Sequence, residues 1–420
     1  MIKILIITDL FPPDVSGGYE LRCEEACNWL HEKGYVIEVL TTESEYKESN
    51  HNYHIHRILK KYTNGSTPKE WVFFRRLYFA LRDNYFFRKT LKKFKPEFVY
   101  LWHCSGISRS LIPELFHNGV PTIVDVSDKW LWKVSRESGP VYGLFKGKSS
   151  NFFKHILKTP LLKLLPLFSF GFLRNKYKLN IKDTIGYFTS RWNYDFHLDE
   201  IKDIKHFNVY HTGIDLKYFP SSKRTVIKDT ITLLYVGRIS TEKGIILLLD
   251  QVDYASTQMN VSIHLMIAGK YKNEYEEKLV ENKINKMGDD IKLTFLGQIK
   301  RNKLFRYYQE ADFTIFTSIC DEAFSRVPLE SMACGTPCIS TENPGSKELF
   351  DIDAPMILLE YSNDSLGKII TTINYDEAEY NNISIKGRKF IEGSFTFDHF
   401  MKKIEVEFLK NKRIEPYENR

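Results

Sequence analysis

Short runs rich in Ile, Val, Leu and Phe alternate along this chain with segments of helical apolar spacing, and that alternation constrains the fold more than any other feature. The spacing predicts strands at 2–8, 36–41, 97–102, 121–126, 183–188, 207–210, 231–236, 262–268, 291–296, 312–317 and 336–340. Helical patterns fall between them, at 19–33, 243–256, 272–287 and 302–310. Continuous apolar strands joined by helices imply parallel sheets with crossover connections. Eleven strands are too many for one comfortable sheet, and 420 residues fit two domains at roughly 100–200 residues each. A break falls in "NVYHTGIDLKYFPSSKR", residues 208–224, where Gly213, Pro220 and two serines suit a linker. The expectation is two doubly wound Rossmann-like domains, 1–210 and 211–395. A tail at 396–420 follows, in which Phe397, Phe400, Met401, Ile404 and Phe408 mark an amphipathic helix.

Composition removes several function classes. Apolar residues at 43% and charged residues at 27% describe an ordinary globular protein. A net charge of +7 is mild for this length, and no finger, basic zipper or RNA-binding signature accompanies it, so no nucleic-acid partner is expected. The six cysteines form no CxxC pair, which points to reduced thiols in a cytoplasmic protein. The opening "MIKILIITD" is too short, and too soon ended by Asp9, for a leader; a buried strand fits it. No run of 18 uncharged apolar residues predicts a membrane span.

Ligands of such sheets bind beyond the carboxyl ends of the strands, so residues just after strands carry the functional signal. After the first strand comes "DLFPPDVSGGYELR", where Gly17 and Gly18 precede a helix and leave room for an anion, or simply allow a turn. It is not GxGxxG, so a dinucleotide fingerprint is lacking. "LLYVGRISTEKG" puts Gly237, Arg238 and Lys243 at another strand end; two converging cations suit a diphosphate, or form a solvated pair. "DEAFSRVPLESMACG", residues 321–335, holds two acids eight positions apart. Ser325 can cap a helix there and Pro328 fits its first turn. Glu322 in the loop and Glu330 within the helix can then face one site, with exposed N–H groups around Phe324 to Arg326. The plain alternative is that Glu330 pairs locally and Glu322 is solvated.

Taken together, "FPPDVSGGYE", "HTGIDLKYF", "VGRISTEKG", "LMIAGK", "LTFLGQI" and the E-x7-E stretch followed by "SMACGTPCIS" resemble retaining GT-B-fold glycosyltransferases of family four, the glycosyl transferases group 1. The resemblance covers nearly the whole chain. It implies an α/β GT-B architecture, with two Rossmann-like domains facing across a cleft, the first binding the acceptor and the second a nucleotide sugar, and a C-terminal helix returning to the first. It implies that Gly17 and Gly18 let the donor diphosphate meet the acceptor, and that Arg238 and Lys243, beside Gly237, clamp the diphosphate. Glu330 would hold the ribose hydroxyls and Glu322 the transferred sugar. Backbone groups of Phe324, Ser325 and Arg326 would meet sugar and phosphate. The base would lie near Gly269 and Gly297, Gln298 and Ile299.

The pattern departs from the family in three places. Where many members have a histidine after the "VPxVxxxH" strand, "VPTIVDVSDKW" offers Ser127 and Asp128; His103 in "YLWHCSG" follows the preceding strand. These three are candidate acceptor or sugar contacts. Ser325 replaces a frequent glycine, and Arg326 either contacts the donor or points to solvent.

The expected reaction is sugar transfer with retention from a nucleoside-diphosphate donor to a glycan or lipid-linked acceptor, in cell-surface polysaccharide or glycolipid synthesis. Glu322, Arg238 and Lys243 would be the catalytic groups, and no cofactor or metal is expected. Asp351-Ile352-Asp353 reads as a solvated turn. Two other readings stay open: a nucleotide-sugar epimerase or phosphorylase of the same architecture, and a catalytically silent binding subunit. Residues 129–180 hold eleven Lys or Arg and one acid, Glu137, and 69–95 again mixes cations with aromatics. Both stretches suit either an anionic membrane surface, placing the protein at the inner face of the membrane, or helices on the sheet with snorkelling cations.

Overall fold

The computed structural model describes residues 1–46, 51–61, 72–108, 111, 112, 115, 119–136, 184–222, 230–259, 261–288, 290–374 and 376–412. Most of the basic aromatic stretch, from 137 to 180, lies outside these residues, as do 69–71 and the tail beyond 412. The chain divides into two compact units: Met1–Tyr210 with Lys403–Arg420, and His211–Lys402.

The first unit holds strands β1 (Lys3–Ile7), β2 (Val36–Thr42), β3 (His54–Leu59), β4 (Phe98–Leu101), β5 (Thr122–Val126), β6 (Ile185–Phe188) and β7 (Asn208–Val209). They form one parallel sheet in the order β3-β2-β1-β4-β5-β6-β7. Helices α1 (Gly18–Glu32), α2 (Val72–Phe94), α3 (Trp130–Arg136) and α4 (Arg191–Glu200) connect them. The apolar opening of the chain is β1, buried along almost its whole length in the sheet's middle. The chain winds from β1 out to β3, then crosses back to lay β4 on the other side of β1. That reversal is the topological switch point, where a crevice opens beyond the strands' carboxyl ends.

The second unit repeats the plan. Strands β8 (Thr230–Val236), β9 (Ser262–Ala268), β10 (Ile291–Gly297), β11 (Phe313–Phe316), β12 (Cys338–Ser340) and β13 (Ile357–Leu358) pair in parallel in the order β10-β9-β8-β11-β12-β13. Its switch point lies between β8 and β11. Its helices are α5 (Ile245–Met259), α6 (Glu274–Ile284), α7 (Arg301–Glu310), α8 (Arg326–Ala333), α9 (Pro344–Asp351), α10 (Ser365–Asn374) and α11 (Glu377–Ser394). The final helix, α12 (Phe397–Lys412), begins in the second unit and ends in the first; its five expected apolar positions are all buried.

Two strands escape the sequence pattern, and both are edges. β3 reads "HIHRIL", with His54 exposed and His56 and Arg57 half-buried, so polar residues hide its alternation. β13 is only two residues long. The helix expected from 243 starts at Ile245 instead. A single 3-10 turn, Thr241–Lys243, precedes it and ends at Gly244 in the left-handed conformation, φ +71°.

Candidate functional site

At the first unit's switch point, four polar residues follow three strands: Asp9 after β1, His103 after β4, and Ser127 and Asp128 after β5. Asp9 is buried and fully engaged. It accepts from the Leu10 amide at 2.8 Å, the Gly106 amide at 2.9 Å and His103 Nδ1 at 2.7 Å. His103 Nε2 lies 3.0 Å from Asp128 Oδ2 and 3.1 Å from the Ser105 hydroxyl. Burial alone would lower the pKa of this imidazole, but its bonds to Asp128 and Asp9 outweigh that and push it up to about 10. Burial would likewise raise Asp128, yet the bond from His103 holds it below the usual carboxylate range. At neutral pH His103 is therefore an imidazolium between two carboxylates, a donor rather than a base.

Ser127 faces the other way. Its hydroxyl donates to Asp125 Oδ1 at 2.7 Å and accepts from Arg22. Asp125, inside β5, is wholly buried and also accepts from Arg22 Nη2, the Tyr19 hydroxyl and the Tyr187 hydroxyl, each at 2.6 Å. The Arg22 guanidinium lies 5.0 Å from the Tyr19 and Trp102 ring centres, and the Tyr19 ring meets His103 at 5.2 Å. Ser127 thus belongs to a buried network beneath the site rather than to the site's open face. Gly17 is extended, and a side chain there would meet nothing within 4 Å. Its amide donates to Glu20 Oε2 at 3.0 Å, so the start of α1 already carries its own carboxylate.

In the second unit the carboxyl ends of three strands are tied together. The Gly237 amide reaches the Ala268 carbonyl at 3.0 Å, and the Gly269 amide reaches the Gly297 carbonyl at 2.8 Å. A Cβ at Gly269 would sit 1.8 Å from the Gly237 carbonyl oxygen, so only glycine permits that approach. Gly244 is constrained twice, by its positive φ and by the Thr317 carbonyl oxygen 1.8 Å from where a Cβ would be. This close contact sets the loop after β8 against the end of β11. Tyr235 adds a tether, donating to the Arg238 carbonyl at 2.8 Å, while Glu276 holds the Thr241 amide at 2.9 Å and its hydroxyl at 2.8 Å. Gln298 is exposed and Ile299 half-buried beyond β10.

On this frame Lys243 Nζ meets Glu322 Oε1 at 2.6 Å, their side chains 26% and 16% exposed. Burial lowers the lysine's pKa but the charge of Glu322 raises it further, so the ammonium stays charged. Arg238 is half-exposed, its guanidinium 3.8 Å from Glu242.

The helix after this loop differs from expectation at its first residue. Ser325 does stand at the N-cap of α8, but its side chain makes no capping bond and donates to Glu322 instead. A charged carboxylate outcompetes weaker partners for that hydroxyl. Arg326 does not point to solvent: its side chain is 13% exposed, with Nε 3.8 Å from Glu330 Oε1. Glu330 is buried inside α8, and its Oε2 accepts from the Tyr308 hydroxyl at 2.9 Å. The Phe324 ring stacks on His211 at 4.6 Å, and His211 Nε2 lies 2.9 Å from Glu348. Asp9, Asp125, Tyr308 and His211 were not singled out from the sequence. The acid within the apolar run "TIVDV" could have found Asp125, and the position just after the first strand could have found Asp9. Among the described residues no cluster of three or more His, Cys, Asp or Glu side chains is arranged to hold a metal ion.

Residues 220–390 match the family model described as glycosyl transferases group 1. The chain is 25% identical over 239 residues to the putative glycosyltransferase YtcC of Bacillus subtilis, covering 52% of this chain and 58% of that protein. It is 28% identical over 197 residues to the lipopolysaccharide 1,2-N-acetylglucosaminetransferase of Salmonella typhimurium, covering 44% and 50%. The chain thus spans about half the length of these curated relatives. A solved structure of Anabaena HepE with UDP and glucose superimposes over 98% of this chain and 100% of that one, with a TM-score of 0.67 and 15% identity. At that identity the likeness speaks for the fold, two parallel-sheet Rossmann-like domains of GT-B type. The family match and the relatives together support a glycosyltransferase.

Proposed function

We propose that the chain is a retaining glycosyltransferase of family four. It would move a sugar from a nucleoside-diphosphate donor to a glycan or lipid-linked acceptor in cell-surface polysaccharide or glycolipid synthesis. The observation that carries this reading is the Lys243–Glu322 pair at the second unit's switch point, joined by Ser325. A sugar diphosphate needs such a mixture: cations for the phosphates and a carboxylate for sugar hydroxyls. In the transfer, the bond from the anomeric carbon to the diphosphate oxygen breaks. A bond to the acceptor oxygen forms on the same face, and the acceptor proton passes to the departing phosphate. Lys243 and Arg238 would stabilise the charge left on the diphosphate. Glu322, released from Lys243 by the incoming phosphate, would hold the transferred sugar, and Glu330 the ribose. The base would rest near Gly269 and Gly297–Ile299. In the first unit the half-exposed Asp128, held by the His103 imidazolium, offers an acceptor to sugar hydroxyls.

Incubation with UDP-, GDP- and ADP-sugars, with and without glycan and lipid-linked acceptors, tests the reading. Glu322→Gln should cut transfer by about 10²-fold or more while the chain still melts cooperatively, within a few degrees of wild type. Near-normal turnover in that variant overturns the assignment. An epimerised donor formed without acceptor would favour the epimerase, and donor binding with neither product a silent subunit.

A membrane-bound acceptor fits one further observation. On α2, Tyr78, Leu81, Tyr85, Lys89, Lys92 and Lys93 are exposed at spacings that place them along one side of the helix. Among the described residues no helix is long and apolar enough to cross a membrane. We propose peripheral attachment at the cytoplasmic face. The protein should float with vesicles containing anionic lipid at low salt and release at high salt; binding that ignores salt or lipid charge would remove the idea.

A further inference from the structure

Tyr308 is wholly buried on α7, where its ring meets Phe219 at 6.1 Å and packs among Leu304, Leu329 and Met332. Its own carbonyl accepts from the Thr336 hydroxyl at 2.5 Å, which anchors the backbone at that point to the chain segment after α8. From this fixed position the phenol donates to Glu330 Oε2 at 2.9 Å. Burial first, and then the charge of Glu330, push the phenol's pKa up, so the proton stays on the tyrosine and the bond keeps one polarity. The other carboxylate oxygen lies 3.8 Å from Arg326 Nε, four residues earlier on the same helix.

A glutamate side chain has three rotatable bonds and sweeps a wide volume when unheld. Two vicinal hydroxyls donate well to a single carboxylate only when both of its oxygens present a fixed plane. Here one oxygen is pinned by a rigid donor from a different helix, and neither carboxylate oxygen has its lone pairs exhausted. Resting on the reading of Glu330 as the ribose holder, we infer that Tyr308 is a positioning residue that fixes the Glu330 carboxylate for the 2′- and 3′-hydroxyls of a ribonucleoside diphosphate. The selectivity of this domain for ribose over deoxyribose is then set from beneath the site, by a side chain that touches no substrate.

The test compares UDP, GDP and ADP with their 2′,3′-dideoxy counterparts by isothermal titration on the full chain. Whichever nucleotide binds tightest serves for the variants. Wild type should prefer the ribonucleotide by about tenfold or more, since the dideoxy form leaves a buried carboxylate without its partners. Tyr308→Phe keeps the ring and removes the donor, so it should shrink that preference to about threefold or less, chiefly by weakening the ribonucleotide. A merely structural tyrosine would weaken both nucleotides together and leave their ratio alone. Glu330→Asp keeps Tyr308 and the charge but withdraws the carboxylate from the phenol, and it should lose the preference as well. An undiminished ratio in Tyr308→Phe overturns the inference while leaving Glu330 as the ribose holder, whereas an undiminished ratio in Glu330→Asp overturns both. A wild type that does not distinguish the two nucleotides overturns both.

Discussion

The two units place their polar residues at the same topological point and furnish it with opposite chemistry. In the first, the chain reverses between β1 and β4, and two aspartates there enclose one imidazolium. In the second, it reverses between β8 and β11, and Lys243 pairs with Glu322 while Arg238 lies 3.8 Å from Glu242. The support beneath each point differs too. Under the first lies a fully buried ion pair, Arg22–Asp125, with side chains 5% and 0% exposed and three hydroxyls completing the carboxylate. Under the second lie glycines and backbone amides. A doubly wound sheet therefore supplies a location, and the residues at the loops decide what is bound there.

The contrast can be broken most forcefully at Asp125. Asp125→Ala strands the Arg22 guanidinium without its counter-ion in the interior, and should cost about 3–5 kcal/mol of unfolding free energy in urea titration. Exchanging both partners for apolar residues, Arg22→Met with Asp125→Leu, removes the unpaired charge but takes the carboxylate acceptor from the Tyr19, Tyr187 and Ser127 hydroxyls, so it should recover only part of that loss. The corresponding change in the second unit, Glu322→Ala, leaves Lys243 with access to solvent and should cost about 1 kcal/mol. Equal losses in the two cases would erase the distinction between a pair that holds a fold and a pair that awaits a ligand.

The same contrast explains what could be read from the sequence. The second unit's residues follow a local order, in which Gly237, Arg238 and Lys243 fall within seven positions, and Glu322, Ser325 and Glu330 within nine. Strand ends and helix starts are short-range signals, so they were legible. Ser325 was read at the right place but with the wrong partner, since nothing local says that a carboxylate three residues earlier will turn back towards it. The first unit's residues meet only through the sheet. Asp9, His103 and Asp128 come from three strand ends up to 119 positions apart, and pairing β1 with β4 and β4 with β5 is what joins them. Ser127 was singled out for its position, yet its hydroxyl turns inward to Asp125. Tyr308 lay beyond reach because its helix is otherwise an ordinary amphipathic one.

A smaller effect should separate the units by pH. The folded pKa of His103, about 10, stands above its unfolded value of about 6.5, so between those limits the folded chain binds a proton that the unfolded chain has released. The stabilisation is therefore complete below pH about 6.5 and fades as pH rises towards 10. Asp128 contributes with the opposite sign. Its lowered pKa gives stability that is present above the ordinary carboxylate value and is lost in acid. Asp128 is 45% exposed, so solvent screens the pair, and the decline from pH 7 to 10 should be about 1–2 kcal/mol. His103→Gln keeps a neutral donor near both carboxylates but titrates nowhere in this range. Its stability should be lower than wild type at pH 7, and the gap should close by pH 10. A gap that persists unchanged to pH 10 would mean that the imidazole's shape, not its charge, binds the three strand ends together, and the first unit would then owe nothing to the electrostatics that set it apart from the second.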